Sequence, residues 1–232
     1  MLIIRKSEDR GQFNYNWLNS AHTFSFSNYY DPNFMGLRNL RVINEDQIKG
    51  GGGFPTHSHK DMEIITYVIS GSLSHKDSMN NSAIIQPGEV QIMSAGTGIT
   101  HSEFNYSDTD LVHLLQIWII PDQVGLKPRY DQKIFNYSQK ENKLKLIVSP
   151  DGKDDSITIH QDVNIYASVL NSGEKIEYDI TNQRYGWVQV IKGKMLINDL
   201  EVNSGDGVAI EGEDNIVFMG ENTTEFLLFD LG

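Results

Sequence analysis

Short apolar runs recur along the whole chain, each broken by Gly, Asn, Asp or Pro. The spans 63–69 (EIITYVI), 83–85, 90–93, 112–120 (VHLLQIWII) and 144–148 are rich in β-branched and aromatic residues. So are 157–159, 187–191 (WVQVI), 195–197, 208–210 and 226–229. Runs of this length and composition predict strands, and the regular turn signals between them predict a sandwich or barrel. Helical periodicity is nearly absent. The pattern also repeats. YVISGSL (67–73) resembles VQVIKGKM (188–195), and QPGEVQIMSAG (86–96) resembles NSGDGVAIEGE (203–213). The matched glycines are 193 − 71 = 122 and 205 − 88 = 117 residues apart. Two similar β modules are therefore expected, over 1–138 and 139–232, with the acidic stretch 140–156 connecting them.

Composition narrows the function classes. The 232 residues are 39% hydrophobic and 22% charged, enough for a substantial core. A net charge of −12 and the absence of any Lys/Arg run argue against binding nucleic acid or an anionic membrane. With no cysteine there is no disulfide, thiolate nucleophile or Cys-based zinc site. No stretch approaches the ~20 apolar residues of a membrane span, and the first residues lack a secretory apolar core. A cytoplasmic protein is expected.

Two segments can do chemistry: THSHKDMEI, with His57 and His59, and GITHSEF, with His101 and Glu103. Strand side chains alternate, so each pair projects to one face and presents two donors. If the strands face one another across a β cavity, four ligands converge on one ion. Imidazole and carboxylate without thiolate suit Fe(II), Mn, Ni, Cu or Zn. An isolated H-x-H is weak, since paired surface histidines are common. The glycines at 50–53 and the SAGTG run add weight, because Gly permits close backbone packing at a site. Glu63 lies four positions beyond His59, shares its expected face and is a rival carboxylate. Of the remaining histidines, His22 would line a pocket mouth or pack, His75 would form a surface pair with Asp77, His113 would be a satisfied core or inter-sheet histidine, and His160 structural. Phe24, Phe26, Trp118 and Trp187 read as core.

These motifs carry a family resemblance. G-x5-H-x-H-x3-E, Gly51 to Glu63, resembles the first cupin motif, and G-x2-H-x3-N, Gly98 to Asn105, the second. HTFSFSNYYDPNFMG (22–36), LRVINED (40–46), the segment 56–79, PGEVQIMSAGTGITHSE (87–103) and LLQIWII (114–120) resemble pirin segments in order. The match is strong over about 1–120 and loose beyond. The resemblance implies an all-β bicupin of two antiparallel barrel or jelly-roll modules. It implies one divalent metal, Fe(II) first and Zn, Mn, Ni, Co or Cu otherwise, in the N-terminal cupin on His57, His59, His101 and Glu103. Many other cupins use the residue matching Glu63, but here seven rather than six residues separate Glu63 from Gly71. Glu63 would then orient a histidine. The C-terminal cupin would be degenerate and metal-free: at the 122-residue offset His57 and His59 fall on Asp179 and Thr181. By the same resemblance the activity would be cleavage of a flavonol such as quercetin with O2. Glu103 would be a catalytic base, and Met93, Phe54 and Phe24 would line the ring cavity. Two other readings stay open: a metal-dependent regulator with a protein partner, and a cupin enzyme with another natural substrate.

Overall fold

The computed structural model describes residues 1–181 and 183–232. It is an all-β chain; the α-helical assignment among the described residues is Tyr137–Lys140. No helix is long and apolar enough to cross a membrane. Two compact units result. One comprises Gly11–Ile134 with Ile159–Gln161; the other comprises Met1–Arg10, Phe135–Thr158 and Asp162–Gly232.

In the first unit a seven-stranded sheet runs in the order Arg129–Ile134, Glu89–Ser94, Glu63–Ser70, Val112–Ile119, Leu40–Ile48, Leu18–His22, Gly11–Tyr15. A four-stranded sheet runs Gly53–His59, Ile99–Asn105, Leu73–Asp77, Ser82–Ile85. The inner strand Glu63–Ser70 is buried over six consecutive residues, among them Ile64, Ile65, Tyr67 and Val68, as a strand covered on both faces requires. Apolar side chains gather in two clusters, one around Ile48, Val68, Leu73 and Leu114, the other around Ile64, Met93 and Ile99.

The second unit repeats the design. Its seven-stranded sheet runs Leu2–Arg5, Gly207–Ile210, Tyr185–Lys192, Thr224–Leu231, Val163–Leu170, Lys145–Ser149, Ile157–Thr158. Its four-stranded sheet runs Lys175–Asp179, Asn215–Gly220, Lys194–Ile197, Leu200–Asn203. Strand pairing is antiparallel except between Lys145–Ser149 and Ile157–Thr158. The glycines matched in the sequence repeat behave alike: Gly71 and Gly193 have φ of 76° and 91°, and Gly88 and Gly205 have 90° and 84°. Each turn needs a residue that enters the left-handed region without a Cβ penalty.

The expected two-module, all-β architecture is present, with one refinement: the sheets are antiparallel but not closed into barrels. The repeat also needs a different register from the one read off Gly71 and Gly193. Glu103 pairs with His75, four residues past Gly71, and Phe218 pairs with Ile197, four past Gly193. Hence His101 corresponds to Ile216. His101 pairs with His57 and Ile216 with Tyr178, an offset of 178 − 57 = 121. Asp179 and Thr181 are therefore not the counterparts of His57 and His59. A one-residue slip turns every side chain to the other face of a strand.

Candidate metal centre

The two histidine-bearing strands, Gly53–His59 and Ile99–Asn105, are hydrogen-bonded neighbours in one sheet, not strands facing across a cavity. His101 stands opposite His57, and Ile99 opposite His59. Alternation then puts the three imidazoles on one face. Their ring centroids lie 4.4 Å (His57–His101), 4.8 Å (His57–His59) and 4.9 Å (His59–His101) apart. One nitrogen from each ring falls within 4.8 Å of the others.

The local sequence explains how this face is built. Glu103 pairs with Phe54, so Pro55 and Thr56 together oppose Ser102. Pro55 has no N–H to give the ladder, and a bulge at such a residue re-aims the neighbouring side chains. The Pro55 carbonyl accepts the Nδ1–H of His57 at 2.8 Å, which fixes the tautomer and leaves Nε2 as a lone-pair donor. His57 Nε2 lies 3.0 Å from His101 Nε2. Burial, reinforced by His57, pushes His59 down to about 4. Burial, then the three neighbouring imidazoles, pushes His101 down to about 2. His59 and His101 are thereby held as neutral imidazole, the form that binds a cation.

Glu103 is buried, and its carboxylate is held from one side. Gln116 donates Nε2–H to Oε2 at 2.5 Å, while the Trp118 indole N–H donates to Gln116 Oε1 at 3.2 Å. Oε1 has no hydrogen-bond partner among the described residues. Burial pushes Glu103 up to about 7; the Gln116 bond and the nearby Thr66 hydroxyl oppose the rise, and the Asp46 carboxylate adds to it. Glu103 clusters within 4.8 Å of His101 and His75, so His101 is shared between two donor sets.

Several expectations need correction. His75 does pair with Asp77, at 3.3 Å, but it is fully buried, packed against His101 and Tyr130. Its strand looked like a surface hairpin because the charged Lys76 and Asp77 follow it. Glu63 belongs to neither donor cluster: it accepts the Ser94 hydroxyl at 2.9 Å and pairs with His160 Nδ1 at 3.3 Å. The histidine it orients is thus His160. His113 is half-buried and bonds Glu45 at 2.8 Å, so it is satisfied but not core. His22 packs against Phe13 and Phe26.

A cavity of about 390 Å³ opens over the imidazoles, within the range of small-molecule sites. Phe26, Phe54 and Trp118 supply its apolar lining, His57, His59 and Glu103 its donors, and Asn44, Asp46 and Gln116 further polar groups. Phe54 was expected there. Phe24 and Met93 are instead buried away from it, and Phe26 and Trp118, expected in the core, are lining residues. The legible signal for the polar lining was alternation: Asn44 and Asp46 interrupt LRVINED every second residue, and Gln116 interrupts an apolar strand.

Comparison with known proteins places the chain. The family model Pirin matches residues 4–119, and a model described as the quercetinase C-terminal cupin domain matches 146–231. The quercetin 2,3-dioxygenase of Escherichia coli (strain K12) is 49% identical over 231 residues, covering 100% of this chain and 99% of that protein. The chain belongs to the pirin family. The crystal structure of YhhW from Escherichia coli superposes with a TM-score of 0.97 at 49% identity, covering 100% of this chain and 98% of that one. A structure of the bacterial pirin YhhW in complex with nickel(II) gives 0.96 at 48% identity, covering 100% and 99%.

In this pirin the donor set suits a divalent ion. Two ligands at right angles, each about 2.1 Å from one ion, lie about 3.0 Å apart, the separation of the His57 and His101 Nε2 atoms. The partnerless, buried Glu103 Oε1 is the acceptor that a cation would satisfy.

Proposed function

We propose that this pirin is a mononuclear-metal dioxygenase that cleaves flavonols such as quercetin with O2, with His57, His59, His101 and Glu103 as ligands. Fe(II) is the first choice of metal, with Zn, Mn, Ni, Co and Cu as alternatives. Under this reading the metal belongs to the N-terminal cupin, 1–138, and the C-terminal cupin, 139–232, carries none. The observation that carries the proposal is the meeting of three imidazoles within 4.8 Å, two of them (His57 and His59) lining an aromatic cavity beside the buried Glu103 carboxyl group. The naming of a relative 49% identical as a quercetin 2,3-dioxygenase supports the substrate class.

When bound, the ion would supply Lewis acidity and, for every metal named except zinc, a redox-active centre for the reaction of a flavonol with dioxygen. The protein's own groups do the rest. Gln116 orients the Glu103 carboxyl group through Oε2, which would hold it beside the flavonol 3-hydroxyl whose proton it takes. Without an ion, burial raises this carboxyl group to about 7; a bound cation would lower it and favour the carboxylate, the form that accepts a proton. Phe26, Phe54 and Trp118 sandwich planar rings and exclude water. Trp118 is fixed for this by its bond to Gln116 and by edge contact with Phe26 at 5.2 Å. The products would be carbon monoxide and a depside.

The test is reconstitution of metal-free protein with Fe(II), Cu, Ni, Co and Mn in turn, following flavonol absorbance, oxygen uptake and carbon monoxide release. One active metal form is expected. No loss of flavonol absorbance with any of them defeats the assignment.

A further inference from the structure

Two polar side chains in the cavity have no assignment in the chemistry above. Asn44 and Asp46 lie two apart on the strand Leu40–Ile48 and so share the face that lines the cavity. Both are more than nine-tenths buried, at 6% and 3% exposure. The Asn44 side chain makes no hydrogen bond among the described residues, and its Oδ1 is shut off from solvent. Asp46 accepts the Ser20 hydroxyl on Oδ1, and among the described residues no hydrogen bond is found to its Oδ2. Buried polar groups are nearly always partnered, because an unpaired one is unfavourable and an apolar residue of the same size avoids the cost. Neighbouring positions on the same sheet show the contrast. Gln116, directly across from Asn44, uses both ends of its carboxamide. Unmatched acceptors on a cavity wall between aromatic side chains point to a ligand that brings its own donors.

We infer that Asn44 and Asp46 form a subsite that reads ring hydroxyls: it accepts the phenolic O–H groups of a planar, polyhydroxylated aromatic ligand whose rings lie among Phe26, Phe54 and Trp118. The inference deepens the flavonol reading and rests on it for the ligand class. Asp46 is the stronger acceptor, since a bond to a carboxylate outweighs one to a neutral amide. Asn44 adds an acceptor and a donor on the same face, so two adjacent hydroxyls are favoured over one. Neither residue is needed for the metal, and both act as specificity determinants.

The metal-loaded protein is titrated with three flavonols bearing two, one or no hydroxyls on the pendant ring, reading Kd from quenching of tryptophan fluorescence. The wild type is expected to prefer the dihydroxylated ligand over the bare one by about tenfold to a hundredfold, the range for hydrogen bonds to a charged group. Asp46→Asn, which keeps the shape and an acceptor for Ser20, and Asn44→Leu should each pull that ratio towards one. Equal affinities in the wild type, an unchanged ratio in both variants, or no binding of any of the three would overturn the subsite. Dissociation constants need no turnover, so the two readings fail separately. Graded binding without oxygen uptake defeats the dioxygenase alone; turnover with ungraded binding defeats the subsite alone.

Discussion

The two modules of this pirin use the same small sheet to opposite ends. In the first, the inward positions of the strands Gly53–His59, Ile99–Asn105 and Leu73–Asp77 carry His57, His101, Glu103 and His75. In the second, the register-matched positions carry Tyr178, Ile216, Phe218 and Ile197. There Ile216, Phe218 and Ile197 join a single apolar cluster with Met195, Val188 and Phe226, and Tyr178 packs against it. The second module thus closes its interior by burying hydrocarbon. The first holds open a cavity lined by imidazole and carboxylate, whose burial in uncharged or proton-holding form opposes folding until a ligand compensates. One scaffold supports both because strand pairing depends on backbone hydrogen bonds, which are indifferent to what the inward side chains are.

That contrast can be broken most severely at the imidazoles. His57→Ala, His59→Ala or His101→Ala should each lose nearly all bound metal, and activity with it, by metal analysis and oxygen uptake. Glu103→Gln should cut turnover by about 10²- to 10⁴-fold, the usual contribution of a positioned proton-transfer group. Glu63→Gln should keep the metal, because Glu63 serves Ser94 and His160; metal lost in Glu63→Gln and retained in Glu103→Gln would reverse the choice of carboxylate. In the second module Phe218→Ala should cost about 3–5 kcal/mol in denaturant unfolding, a cavity in a sealed core, with metal content unchanged.

The smallest expected effect is a pH slope in metal-free protein. Glu103 and Asp46 have raised pKa values, about 7 and about 6, so their stabilising contribution is full below 3.8–4.5 and is lost as pH rises through those values. His59 and His101 are lowered, to about 4 and about 2, so theirs is full above 6.5 and is lost as pH falls. Between pH 4.5 and 6 the two raised acids oppose these two histidines, and the buried His75, also lowered, tips stability towards rising with pH. Glu103→Gln removes one opposing proton, and the climb should steepen by about 1.4 kcal/mol per pH unit across that window. A variant slope no steeper than the wild type's would show that Glu103 is not a raised acid.

Much of this was legible beforehand. The β-rich runs, the repeat and the two alternating donor pairs all follow local rules, turn chemistry and strand parity, that operate over a few residues. Leu40–Ile48 was not among the expected strands, because Asn44, Glu45, Asp46 and Gln47 make its second half polar; a cavity receives Asn44 and Asp46, while Glu45 and Gln47 stay half-buried. His75 was misjudged for the same reason: its neighbours are charged, but its own side faces inward. The repeat offset erred by one residue because loop lengths differ between the modules, and no local signal counts them.

The sequence alone therefore determined the fold class, the module count and the imidazole set, since these rest on side-chain chemistry and a period of two. Tertiary structure decided how the pieces meet. It decided that the histidine strands are neighbours with a bulge at Pro55 between them, that Glu103 is held by Gln116 while Glu63 turns to His160, and that Phe26 and Trp118 line a cavity. Each depends on pairing between strands tens of residues apart, where burial and partner are properties of the assembled sheet and not of any segment.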